Sequence, residues 1–492
     1  MSANSSRGIL TLPLELHLCI IQELQAPDVL SLGQTCHTIR SAVNQRHVWE
    51  TALRTTCRLN QLFEPSYYPI EDLEILELQR AALEPWRRSA SFTPETPSDN
   101  PSEHEGSAPS RNTLQKEIAL DVGSDQLQVD FKSVHIVPGG RYVLGMTSKY
   151  ICLWDMGQTS KVSWNIRPDR LAPCSIVWAP HGTNFRTMSE PKAVNITSFR
   201  FASLNETDLH VYEVGPLPDV GPIREIAKLE GIPRDLFLND CWLQGNSLVC
   251  DFDEGMVVWD FVESRYIAIQ SRSSATVNWN LKKTTSGNKV IAWVGQNVGV
   301  WTIPPLKPLE SSSVMLRGLL SEDCTDFIDF STIYERDDGQ TRYRICLPSH
   351  WYSFPPDALE YALLEKAEKT VRVERFLLDV TPTPGAATPF LMTRISSSQP
   401  MNSMYAPQKW RPYSTICGSL ATMIDYPRAG IVHSAGDADR RVESMDGIQY
   451  AFKDLGALDL AAYCFCPPTG RVAYIPNEST SHKGITVVSL VY

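Results

Sequence analysis

Cys464 and Cys466 are the closest pair of cysteines in the chain. The two-residue period of a strand puts both thiols on one face, so a zinc ion is chemically conceivable there. A tetrahedral site needs two more ligands, and no second cysteine pair or nearby histidine supplies them. No metal is expected. The 10 histidines are dispersed, and none pairs with another at ligand spacing. The motifs of nucleophilic, phosphate and dinucleotide chemistry are missing. There is no Gly-x-Ser-x-Gly elbow, no P-loop, no Gly-x-Gly-x-x-Gly after a strand and no His-Glu-x-x-His. The expectation is a protein with no catalytic residues and no cofactor. Modification chemistry remains. Thr93, Thr96, Thr381, Thr383 and Thr388 each precede a proline, the pattern of proline-directed kinases. Sequons at Asn4, Asn195, Asn205 and Asn477 read as chance matches, because no secretory leader accompanies them.

The chain has 492 residues, 45 Lys+Arg against 56 Asp+Glu, and a net charge of -11. That length suits two or three domains, or one large repeat array with an appendage. The acidity argues against nucleic acid as a partner, since a basic face is needed to neutralise phosphates. No apolar run approaches the roughly 18 residues needed to span a bilayer, and the start has no apolar leader core. A soluble protein of the cytoplasm and/or nucleus is expected. The 12 cysteines show no framework spacing, and Cys19, Cys152, Cys250 and Cys346 sit within apolar runs. They read as small buried hydrophobes in a reducing compartment.

These residues need elements to position them, and three compositional zones are visible. Residues 9–84 are leucine-rich with helical spacing, divided into a module over 9–60 and a helical extension over 61–84. Residues 85–113 are rich in Pro, Ser and Glu and read as a flexible linker. Residues 114–492 consist of short β-rich runs separated by Gly, Pro, Asn and Asp, with insertions around 350–370 and 381–413. Within the first insertion, 357–369 reads as a helix.

In the first zone Leu12, Leu16, Ile20 and Leu24 follow a four-residue step, with Pro13 in the first turn. Pro27-Asp28 breaks that helix, and Asp28 is placed to cap a second one carrying Val29, Leu30, Leu32 and Cys36. A third helix runs through Ile39, Ala42 and Val43, and a fourth through Val48, Trp49, Ala52 and Leu53. A further helix spans 72–86. Four short helices bury little surface alone, so an apolar stripe is left for a partner.

Residues 12–53 resemble an F-box. The likeness rests on Leu12-Pro13-x-Glu15-Leu16, the isoleucines before Leu24, Pro27-Asp28-x-Leu30, the Cys36 region and Trp49. Ile39 stands where the family often has an aromatic. The resemblance implies docking on the Skp-type linker of a cullin-RING ubiquitin ligase, through apolar anchors at helical spacing. The residues assigned to that surface are Leu12, Pro13, Leu16, Ile20, Leu24, Leu30 and Cys36.

The last zone repeats itself. Ile151–Asp155, Leu209–Glu213, Met256–Asp260 and Val298–Thr302 share one pattern: apolar, any, apolar, aromatic, polar. Their aromatics, Trp154, Tyr212, Trp259 and Trp301, are 58, 47 and 42 residues apart. Ile485–Ser489 is a last copy with Val488 at the aromatic position. A second element, Pro-x-Gly-Arg, occurs at Pro138–Arg141 and Pro468–Arg471. Units of roughly 40–50 residues built from short strands are the sign of a β-propeller. These resemble WD repeats, with Trp-Asp at 154–155 and 259–260. Weaker strand ends at Leu377–Asp379 and Ser444–Asp446 bring the count to about seven blades, or six. The aromatics are expected to pack between blades.

The fold class read from sequence is thus multidomain, a small all-α module plus an all-β propeller. The function it implies is a substrate-recruiting adaptor of an SCF-type ubiquitin ligase, whose propeller binds a target protein. Two alternatives stay open: a propeller scaffold outside ubiquitination, and a propeller enzyme with a loop-borne site.

Overall fold

The structure, a computed structural model, describes residues 9–91, 114–120, 130–158, 170–232, 238–252, 255–270, 283–286, 289–294, 297–309, 327–329, 342–346, 351, 358–367, 370–379, 391–397, 401–402, 416–417, 420–425, 428–433, 447–448, 460–476 and 484–491. Five α-helices open the chain: α1 (Leu14–Gln22), α2 (Ala26–Gly33), α3 (His37–Val43), α4 (Arg46–Leu59) and α5 (Ile75–Ser91). Pro13 precedes α1 in an extended conformation. α2 begins at Ala26, after Gln25 as its capping residue. Asp28 therefore lies inside the first turn, where its charge favours the positive end of the helix, and is not the cap expected from sequence. Pro27 sits beside it, where its missing N–H leaves no bond unmade.

α4 buries Val48, Trp49, Ala52, Leu53, Thr56 and Cys57, one face at helical spacing. That face meets Ile21, Val29, Ile39 and Val43 of α1 to α3 on one side, and Leu62, Tyr67, Ile70, Leu78 and Ala82 on the other. Module and extension thus share one core. Arg46 fixes the turn before α5 by donating to the Ile70, Glu71 and Leu73 carbonyls at 2.7, 3.0 and 2.7 Å. α5 continues to Ser91, into the stretch expected to be linker from residue 85. The remainder of that linker, 92–113, lies outside the described residues.

Among the described residues the strands form seven sheets of four or five strands, antiparallel except where Leu114–Leu120 meets Arg170–Leu171. The first comprises Phe131–Ile136, Tyr142–Thr147, Tyr150–Asp155 and Ser175–Trp178. In the seventh, Leu114–Leu120 pairs with Ile485–Val491 from the far end of the chain, from Leu114↔Val491 to Leu120↔Ile485. That pairing closes the array and removes two exposed edges. The five repeats read from sequence occupy one position. Tyr150–Asp155, Leu209–Val214, Gly255–Asp260, Asn297–Thr302 and Ile485–Val491 are each the third strand of their sheet. Leu377–Asp379 ends the third strand of the fifth sheet, Thr370–Asp379. Ser444–Asp446 lies outside the described residues; the third strand of the sixth sheet is Arg428–His433.

Neighbouring sheets pack face to face through aromatic and aliphatic side chains. Trp154 is fully buried against Ala473 and Val487 of the seventh sheet. Tyr212 packs with Leu144 and Met146 of the first, and Trp259 of the third with Val211 of the second. The side chain of Trp301 lies outside the described residues.

The helix expected over 357–369 is a strand. Ala358–Ala367 pairs with Thr370–Asp379 through ten residues, from Ala358↔Asp379 to Ala367↔Thr370. Leu359, Tyr361 and Leu363 also satisfy a two-residue period, as do Val371 and Val373 opposite. A β-branched partner strand outweighs a modest helical preference. Residues 358–367 are therefore part of the fifth sheet and not an insertion. In the second expected insertion, Leu391–Ser397 and Met401–Asn402 also pair into this sheet.

Candidate partner-docking face and the joint behind it

α1 turns His17 and Ile21 inward, both buried. A flank about 100° around the helix from them carries Leu16 and Ile20, 47 % and 39 % exposed. Leu14, at the start of α1, and Leu30, on α2, are 46 % and 39 % exposed. Pro13 is exposed and Leu12 half-buried. Leu24 and Cys36 are half-buried and pack against the module's own core. α1 ends at Gln22 with Glu23 as its capping residue, so Leu24 lies beyond the helix and turns back onto the core. Leu14 and Leu10 (54 % exposed) were not among the assigned anchors. Leu10 lies in the short 3-10 turn Ile9–Thr11, and Leu14 is the first residue of α1, in a neighbouring stripe with Leu18 and Ile21. Leu10, Leu14, Leu16, Ile20 and Leu30 stay exposed with the propeller in place.

Behind this face the extension is docked on the propeller. Leu62 and Phe63 are both fully buried but in different cores: Leu62 with the helices, Phe63 with the first and second sheets. The Phe63 N–H donates to the Pro138 carbonyl at 3.0 Å, and the Ser66 hydroxyl to the same oxygen at 3.2 Å. Arg141 Nη1 donates to the Tyr68 carbonyl, and Gln158 Nε2 to the Tyr67 and Pro69 carbonyls at 3.1 and 3.3 Å.

Both Pro-x-Gly-Arg elements lie at this joint. They form the turns between first and second strands of the first and seventh sheets. Gly139, at φ +100°, lies so close to Ser66 that a Cβ there would sit 2.5 Å from its Oγ. Gly470, at φ +62°, faces the Arg88 guanidinium in the same way, at 2.8 Å. Only glycine combines that backbone with that proximity. Arg471 Nη1 donates to the Gly140 carbonyl, tying the two turns together. On α5, burial raises the Glu84 carboxyl, while its partner Arg88, 3.1 Å away, pulls it down. The module is thus seated directly on two blades.

Cys464 and Cys466 share the strand Leu460–Cys466. Burial pushes the Cys464 thiol up to about 12, and Cys466 also upward. Cys464 Sγ accepts the Ile136 N–H at 3.3 Å. Burial keeps both thiols protonated at neutral pH. No cluster of three or more metal-competent side chains occurs among the described residues. No described helix is long and apolar enough to cross a membrane.

A family model described as F-box-like matches residues 9–55. No curated protein matches the chain. Among solved structures, a chain of the "Crystal Structure of Mitotic Checkpoint Complex" overlaps 81% of this chain and 99% of its own length, at 9% identity and TM-score 0.39. The Nup133 β-propeller domain of Vanderwaltozyma polyspora overlaps 77% and 97%, at 9% identity and TM-score 0.42. The C-terminal WD40 domain of Sif2 overlaps 77% and 99%, at 7% identity and TM-score 0.39. These overlaps are weak, and the propeller assignment stands on the sheet order and the inter-sheet cores. The chain joins an F-box-like helical module to a WD40-like β-propeller.

Proposed function

We propose that this protein is a non-catalytic adaptor of a cullin-RING ubiquitin ligase. α1 and α2 dock on a Skp-type linker subunit through Leu12, Pro13, Leu16, Ile20 and Leu30, with Leu24 and Cys36 shaping the surface from behind. The propeller binds a target protein and holds it near catalytic subunits on other chains, raising its effective concentration. Such work belongs to the cytoplasm or nucleus. The observation that carries the reading is the pair of exposed apolar side chains Leu16 and Ile20, one turn apart on α1 of the F-box-like segment, with Leu14 and Leu30 exposed as well.

The seating of the module also bears on where a target binds. It covers the side carrying the turns at Pro138–Arg141 and Pro467–Gly470. Strands alternate in direction, so second-to-third turns emerge on the opposite side. The target therefore meets that side, where Ser148–Lys149 and Asn205–Asp208 stand.

The test is a pulldown with the full chain and a Leu16→Glu, Ile20→Glu double variant, both positions being exposed so that the module stays folded. Linker and cullin accompany the first and are lost from the second. Retention of the linker by the double variant refutes the face. Linker without cullin favours a scaffold outside ubiquitin transfer.

A further inference from the structure

Three aromatic rings from three distant segments meet at the joint. Phe63 comes from the helical extension, Phe199 from the second sheet, and Trp351 from the connection between the first and second strands of the fifth sheet. Phe63 meets Trp351 at 5.2 Å and 66° and Phe199 at 5.8 Å and 85°. Phe199 and Trp351 are 5.8 Å apart. All three are 0–1 % exposed. The Trp351 backbone is held as well, since its carbonyl accepts the Ala193 N–H at 2.8 Å. Its indole Nε1 has no hydrogen-bond partner among the described residues. The ring is therefore held by packing alone.

The fifth sheet is the third after the second in chain order. A residue from it has no local reason to lie against Ala193 and Phe199. Both Trp351 contacts that matter, the Phe63 ring and the Ala193 N–H, join elements that share no strand pairing. We propose that Trp351 is a conformational coupling residue: it makes the seating of the helical module and the placement of the second-sheet edge at Ala193 and Phe199 one event. A change at either is then felt at the other. The coupling is reciprocal, as any linkage between two equilibria is. It does not depend on what the helical face docks.

The test is native-state amide exchange on the full chain. In Trp351→Ala the Phe63 and Ser66 amides exchange roughly tenfold faster or more, the factor that corresponds to about 1.4 kcal/mol. Amides of Leu53 and Cys57, in the helical core, are unchanged. Trp351→Phe restores protection, because a ring is needed and the indole N–H is not. Should Trp351→Ala fail to fold, Phe63→Ala decides: the Ala193 amide, bonded to the Trp351 carbonyl, exchanges faster. Unchanged Phe63 and Ser66 exchange in a folded Trp351→Ala, or unchanged Ala193 exchange in Phe63→Ala, overturns the proposal.

Discussion

Arg141 and Asp155 form a two-pronged ion pair across the first sheet, Nε to Oδ1 and Nη2 to Oδ2, both at 2.8 Å. Asp155 belongs to the Trp-Asp step and Arg141 to a Pro-x-Gly-Arg turn, so the two repeat signatures meet in one contact. The pair leaves Nη1 aimed at the Pro65 and Tyr68 carbonyls of the extension. Asp155 Oδ1 also accepts the Gly157 N–H at 2.7 Å. Removing the guanidinium strands a largely buried carboxylate and two carbonyls. Arg141→Ala is expected to cost about 3 kcal/mol in denaturant unfolding. Arg141→Lys recovers only part of it, since an ammonium cannot span both carboxylate oxygens and the carbonyls. Equal stability of Arg141→Lys and the parent would show that the fork is not needed.

Gly139 and Ser66 make a second prediction through geometry alone. Gly139→Ala forces a side chain into the left-handed region, roughly 1–2 kcal/mol, and drives its Cβ against Ser66 Oγ. The second cost disappears when the serine is shortened. Gly139→Ala with Ser66→Gly is therefore less destabilised than the sum of the single changes, a coupling of roughly 0.5–3 kcal/mol. Strict additivity in thermal unfolding would mean the two residues do not touch.

The periodic parts of this molecule were legible in its sequence. The third-strand repeats read out in the first four sheets because Trp154, Tyr212, Trp259 and Trp301 recur at one strand position, and the α4 face because Val48, Trp49, Ala52 and Leu53 are spaced on one side of the helix. Residues 357–369 misread because Leu359, Tyr361 and Leu363 satisfy two periods and only the partner strand decides between them. Of the side chains assigned to docking, Leu16 and Ile20 are exposed, while Leu24 lies beyond the end of α1 and packs on the core, which no periodicity foretells. The Pro-x-Gly-Arg turns were visible as a repeat, but their role was not. What they receive, Ser66 and Arg88, is separated from them by the chain's longest Pro/Ser/Glu stretch. Trp351 had no signal at all, because its partners Phe63 and Phe199 lie far from it in sequence and outside any repeat.

His135 supplies a pH dependence. Burial holds its imidazole below the usual range, opposed by the Glu190 charge and the Met188 backbone bond, with Lys192 adding to the lowering. The folded state therefore binds this proton less readily than the unfolded chain does. Stability from this group is fully present above the free-imidazole value of about 6.5 and is lost as pH falls through the lower folded value. Melting temperature is expected to fall on acidification below about pH 6.5, and less steeply in His135→Gln. Identical slopes in parent and variant would remove His135 from the account.

Cys19 offers a reporter for the docking face that needs no substitution. It is exposed on α1 between the buried His17 and Ile21 and beside Ile20. Cys174 is the other exposed cysteine among those described, but burial of its thiol pushes it up to about 11. Thiolate is the reactive form, so at neutral pH Cys19 is expected to alkylate ahead of Cys174, Cys152 and Cys464. A Skp-type linker seated on Leu16 and Ile20 covers Cys19 as well. Mass-spectrometric footprinting should therefore show Cys19 labelled in the free chain and protected when purified linker is added, with Cys174 labelling unaltered. Continued labelling of Cys19 in a linker complex would place the contact on another side of the module. Labelling of Cys464 ahead of Cys19 would contradict the buried, protonated thiol described for the seventh sheet.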